Sequence, residues 1–234
     1  MFNLQFTIET LKDVVIKGFP LSILVVILTV IISTPIAFLL GLVQTKKVPF
    51  FSGLITVVTS FFRSTPLMVL IFLCYNALPN TLTTIGRRYG WKINFYRINP
   101  IVMATFICSL FTIAIMTGIF YSALLSVHKG QLEAAYSVGL SSFQAYTQII
   151  IPQALVSAVP NLCNNIVNLY KGTSLLFYMG IPDIMGTAKN AAGVNYNYLE
   201  AYVDVLIVYV VTCYIMQKLF GILEKRLNRY NLPR

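Results

Sequence analysis

Apolar runs long enough to cross a lipid bilayer alternate along this chain with short polar segments. The first, 19–43, is uncharged, and Pro35 is placed to kink it. The second, 50–78, is interrupted at its middle by Arg63-Ser64-Thr65-Pro66 and reads as one long, bent span. The third, 101–125, is uncharged and follows Pro100, a residue suited to the first turn of a helix. The fourth, 153–179, carries Asn161, Asn164, Asn165, Asn168 and Lys171 among its apolar positions. The fifth, 199–223, leads into a basic tail of Lys225, Arg226, Arg229 and Arg234. Ahead of them, residues 4–17 alternate Leu4, Phe6, Ile8, Leu11, Val14 and Val15 with charges, the pattern of an amphipathic helix lying on a membrane surface. Residues 79–99 and 180–198 read as loops. The former holds Arg87, Arg88, Lys92 and Arg97, with Tyr89, Trp91 and Tyr96 as interface anchors. The expected fold is all-α and integral to a membrane, with about five transmembrane helices. Its parts are an amphipathic segment 1–17, one membrane domain 18–227 and a tail 228–234.

Composition agrees with this pattern. The chain is 57% hydrophobic and 10% charged, more apolar surface than a soluble domain of this length can bury. The net charge of +10 comes from bases in short segments between apolar runs and at the C-terminus. It points to lipid headgroups and topology, with no nucleic-acid partner. Lys46-Lys47, Lys129 and the tail favour the cytoplasm, which puts the N-terminus outside; the bases of 79–99 oppose that count. Cys74, Cys108, Cys163 and Cys213 lie far apart inside apolar runs, without metal-ligand spacing. Glu9, Lys12, Asp13 and Lys17 precede the first run, so it is read as a retained span and not as a signal peptide. The sole histidine, His128, has no nearby carboxylate or cysteine, and there is no GxxxxGKS/T phosphate loop. Catalysis is not expected, nor is a cofactor or metal in this chain.

Two polar groupings inside apolar runs call for a partner. Arg63 near mid-bilayer is costly unless it faces a cavity or snorkels to an interface, and Pro66 removes a backbone donor beside it. Asn161, Asn165 and Asn168 fall at i, i+4 and i+7 on one helical face, with Asn164 and Lys171 beside it. That face turns either to a neighbouring helix or to a polar pathway, where amides offer a zwitterion both donors and acceptors.

Between the third and fourth runs, residues 130–152 read GQLEAAYSVGLSSFQAYTQIIIP. The expectation is a short helix, a break at Gly139, and a second short helix ended by Pro152, which biases Ile151 out of helical geometry. The order Glu-Ala-Ala, three residues, Gly, nine residues, Ile, one residue, an aliphatic residue, Pro resembles the cytoplasmic coupling loop of bacterial ATP-binding-cassette importer permeases. The likeness runs from about Gly18 to Leu227 and is closest to the polar amino-acid uptake family. It implies a type I importer permease fold in a bacterial cell membrane, with the C-terminus cytoplasmic. Within the loop 126–152, Gly130, Glu133, Ala134, Ala135, Gly139 and Pro152 would meet a cytosolic ATPase. The implied partners are a second permease, identical or paralogous, two copies of that ATPase with its ATP and magnesium, and an extracytoplasmic binding protein.

The resemblance also covers Arg63-Ser64-Thr65-Pro66-Leu67, similar to the family's Arg-Gly-Thr-Pro-Leu, which places Arg63, Ser64 and Thr65 near the translocation path. Lys171-Gly172-Thr173-Ser174-Leu175 is similar to Lys-Asp-Thr-Ser-Leu, with Gly172 in the acidic place. Lys171, Thr173 and Ser174 join the expected pathway on that basis. Gly118 and Tyr121 stand where such permeases commonly carry Glu and Arg. With no Asp or Glu expected in the core of any span, the implied substrate is a polar or sulfur-containing amino acid such as L-cystine. Two other readings use the same residues: an autonomous ion-coupled carrier or channel, and a structural membrane anchor.

Overall fold

The structure, a computed structural model, describes residues 3–90 and 97–228. Trp91, Lys92, Tyr96, Arg229 and Arg234 therefore lie outside the described residues. Helix α1 (Leu4–Asp13) passes through a π-helical turn, Val14–Gly18, into α2 (Phe19–Thr45). The three make one helical run of 42 residues, so the expected surface segment is continuous with the first span. Next come α3 (Phe51–Ser64) and α4 (Leu67–Phe72), then a π turn, Leu73–Ala77, and α5 (Leu78–Arg88). Helix α6 (Pro100–Ser126) is followed by α7 (Lys129–Ser137) and α8 (Ser142–Ala145). A third π turn, Tyr146–Ile150, leads into α9 (Ile151–Gly172), which tightens to 3₁₀ over Thr173–Met179. Helices α10 (Ile184–Asn195) and α11 (Tyr198–Asn228) complete the described residues.

The π turns have a common cause. Pro20, Pro79 and Pro152 each sit at the second position of the α-helix that follows one. In an α-helix a proline ring strikes the carbonyl four residues back and leaves it without a donor. Those carbonyls belong to Ile16, Tyr75 and Gln148, each at the centre of a π turn. The wider register moves the bonding: Phe19 N–H donates to Val14 O and Ile151 N–H to Tyr146 O, five residues back. The helix thereby absorbs the ring and continues. This corrects the expectation for Pro152, which ends nothing: Ile151 is helical at φ −61, ψ −46, and α8 is continuous with the fourth span.

Five helical runs among the described residues are long and apolar enough to cross a membrane: Leu4–Thr45, Leu67–Arg88, Pro100–Ser126, Ser142–Met179 and Tyr198–Leu227. The bent span expected over 50–78 is instead divided. Thr65 turns extended (φ −86, ψ 126) ahead of Pro66, leaving the 14-residue α3 too short to cross alone. Its partner run continues to Arg88, through residues expected to be loop. The stretch 180–198 is also not simply a loop. Asp183 caps α10, accepting from Gly186 N–H, and Ile184, Ala188 and Ala192 bury a stripe at i, i+4 and i+8.

Helix α6 is the centre of the molecule, packed against α2, α3, α4 and α9. Lys46 Nζ lies 4.9 Å from the Tyr146 ring centroid, which sets the turn after α2 and the 130–152 segment at one end. At the other end Asn3 N–H donates to Glu200 Oε1 at 3.0 Å. There too Gly18 passes so close to α10 that a Cβ would lie 2.7 Å from Asp183 O. Only glycine permits that crossing.

Candidate functional site

The asparagines of α9 do share a cavity. About 420 Å³ opens between α6 and α9, walled by Phe111, Thr112, Ile115 and Ile119 on one side and Asn161, Asn164, Asn165 and Asn168 on the other. Asn165 is 7% exposed, and its Nδ2 has no hydrogen-bond partner. Among the described residues none of the four amides bonds to another protein group. A buried donor without an acceptor costs about 1–3 kcal/mol, so this cavity is built for a polar guest or for water.

The break at Thr65-Pro66 reaches the same place by its last residue. Leu67 lines the cavity, and its Cδ2 would lie 3.0 Å from a Cβ at Gly172. The two motif segments therefore meet, and the missing side chain at 172 makes room for Leu67. The other expected pathway residues are dispersed. Thr65 Oγ1 donates to Phe61 O at 2.8 Å, and Ser64 closes α3. Arg63 enters a separate cavity between α3 and α6. Lys171 and Ser174 do not line the asparagine cavity. Thr173 is fully buried, donating to Tyr170 O at 2.7 Å, next to the Tyr170–Thr212 hydroxyl contact of 2.8 Å. Its hydroxyl also lies 3.5 Å from Tyr209 OH on α11.

In the 130–152 segment, α7 stops at Gly139, whose φ of +81 is the left-handed conformation glycine favours. Leu140 N–H donates back to Ala135 O at 3.1 Å. Ser141 and Gln144 form a capping box that starts α8. Ala135 packs inward, Glu133 and Ala134 face outward, and Tyr136, Val138 and Phe143 are exposed apolar neighbours that sequence reasoning did not single out. Gly130 N–H donates to His128 Nδ1 at 3.1 Å, so the lone histidine is the N-cap of α7.

The expectation of no acid within a span needs correction. Glu200 and Asp204 lie one turn apart on α11, and Asp204 is fully buried with neither oxygen bonded to a protein group among the described residues. They sit in the first turns of a run whose apolar character conceals them. Asp183, between the last two spans, is also fully buried. Burial pushes its carboxyl up to about 7, against the lowering effect of the backbone N–H groups of Gly186 and Met185.

Comparison with known proteins agrees with this architecture. The chain is 32% identical over 210 residues to the L-cystine transport system permease protein TcyL of Bacillus subtilis, covering 90% of this chain and 85% of that one. It is 33% identical over 214 residues to the probable amino-acid permease protein YxeN of the same organism, covering 92% and 91%. Its fold superposes on a crystal structure of an amino acid ABC transporter with a TM-score of 0.82 at 23% identity, covering 97% of this chain and all of that one. The helices are thus those of a type I importer permease, a multi-pass membrane protein. Residues 33–229 match the sequence model of the binding-protein-dependent transport system inner membrane component, and the chain belongs to that family.

Proposed function

We propose that this chain forms half of the translocation pathway of an ATP-driven amino-acid importer. The observation that carries the reading is the asparagine-lined cavity against α6, with the buried Nδ2 of Asn165 unpartnered. Amide donors suit a carboxylate and amide oxygens suit an ammonium, so the cavity matches a zwitterion. A second permease, identical or paralogous, closes the pathway. The exposed face of α7, with Glu133, Ala134 and the turn at Gly139, docks a cytosolic ATPase holding ATP and magnesium, with Gly130 and Pro152 framing the loop. That end is cytoplasmic, which puts Asn3 outside, where the binding protein delivers its load. The relatives support an amino acid, and the L-cystine permease among them makes L-cystine the first to test.

The test is uptake into proteoliposomes holding permease, ATPase and binding protein, assayed with labelled L-cystine and a panel of other amino acids. The reading expects accumulation that needs ATP and falls on Asn165→Leu. Flux that persists without ATPase or ATP would instead make the chain an autonomous carrier.

A further inference from the structure

A second cavity, distinct from the asparagine face, lies between α3 and α6 and holds about 250 Å³. Among the described residues Arg63 brings the only charge to its lining; Gln44, Thr56, Ser60, Gly118 and Tyr121 are among the neutral groups there. Gly118 lets the guanidinium lie over bare helix backbone. A Cβ at that position would stand 3.1 Å from Arg63 Nη1 and 3.7 Å from Cζ. Three of the neutral donors nearby, Gln44, Thr56 and Thr59, are already engaged. Gln44 Nε2 donates to Thr56 Oγ1 at 3.0 Å, and Thr56 and Thr59 donate to Ser52 O and Ile55 O. Among the described residues Arg63 has neither an ion pair nor a hydrogen bond.

A guanidinium carries five donors in a planar fork, and the exposed Arg63 leaves them without an acceptor among the described residues. The group that matches the fork with two parallel bonds is a carboxylate. We propose that this cavity is a carboxylate-binding site, with Arg63 as the ligand and Gly118 as the position that keeps it open. Ser60 and Tyr121, also in its lining, supply hydroxyl donors. Two sources share this chemistry: the α-carboxylate of a transported amino acid, and an Asp or Glu side chain of the second permease. The first source rests on the importer reading; the second needs only a permease pair.

The experiment reads the reactivity of Arg63 toward phenylglyoxal by mass spectrometry, in the purified complex of permease pair and ATPase. Gly118→Glu places a carboxylate on α6 beside Arg63, and Gly118→Gln is the uncharged control of equal size. Glu is expected to slow modification of Arg63 at least tenfold relative to Gln. The twenty protein amino acids and L-cystine are then added singly to the wild-type complex. Slowing by one of them, lost with its methyl ester, assigns the site to the substrate. Slowing in the assembled pair without additive, relieved when the permeases are dissociated, assigns it to the partner's side chain. Protection by a different amino acid would remove L-cystine as the substrate and leave the site standing. Equal reactivity in Gly118→Glu and Gly118→Gln overturns the proposal. So does an Arg63 that no amino acid protects and that reacts equally in paired and dissociated permease.

Discussion

Replacing Asn165 by leucine separates a pathway residue from a structural one, because the two roles predict opposite effects on stability. The side chain is 7% exposed, and its Nδ2 donates to no protein group among the described residues. An unsatisfied buried donor carries a penalty of about 1–3 kcal/mol. Leucine has the same branched heavy-atom skeleton and no polar atom, and the adjoining cavity takes up its larger methyl groups, so the empty permease should gain roughly 1 kcal/mol, which is about 2–4 °C in Tm for a chain of this size. Transport should move the other way. A hydrogen bond to a charged group is worth about 1.5–3 kcal/mol, so losing it lowers uptake on the order of 10- to 100-fold. Thermal unfolding of the complex in lipid nanodiscs and uptake per folded complex are measured on the same preparation. A Tm that falls by many degrees while uptake per folded complex stays unchanged would make Asn165 helix-to-helix glue, and the reasoning would fail.

Glu133→Lys and Gly139→Asp should leave membrane insertion normal while uptake falls at least tenfold and ATP hydrolysis loses its dependence on substrate; unchanged uptake in both would remove α7 as the coupling element. Aspartate at 139 would also have to adopt the positive φ that glycine holds there at no steric cost. Asp183 gives a pH signature. Its carboxyl titrates near 7 in the folded protein against 3.8 for a free aspartate, so between those values the folded state holds the extra proton. Stability should therefore fall as pH rises through that window, by at most about 1.4 kcal/mol per pH unit, and level off above it. Asp183→Asn, which keeps the cap on Gly186, should flatten the profile; an unchanged slope in Tm against pH would contradict the assignment. Gly18→Val drives a branched side chain into the backbone of Asp183 and Ile184 and should lower Tm by at least several degrees, measured by tryptophan-independent thiol-reactive dye unfolding.

Much of the fold is legible in the hydrophobic pattern, and the exceptions have physical reasons. Helix α6 is read nearly to its ends because its apolar run is unbroken and Pro100 marks its start. Helix α5 is hidden by Pro79, Asn80 and the threonines that follow, since local rules read Pro-Asn as a turn. The π turn before it cancels that signal, as it does at Pro152, and no single-residue rule anticipates a change of register. Helix α10 is obscured by glycine and asparagine. Its usable signals are Asp183 three residues before Gly186 and the stripe Ile184, Ala188, Ala192. At the site, the spacing of Asn161, Asn165 and Asn168 is enough to place them on one face. Spacing does not show that Phe111 and Ile115 form the opposite wall, or that Leu67 arrives beside Gly172. Those contacts join residues far apart in the chain. Asp204 is a different omission, since a count of acids along the fifth apolar run reveals it.

The most direct test of the account is a cryo-electron microscopy map of the permease–ATPase complex with its transported amino acid bound. The account predicts ligand density between α6 and α9, with a polar end at hydrogen-bonding distance from Asn165 Nδ2. Ligand density elsewhere, with Asn165 bonded to a neighbouring helix, would contradict it.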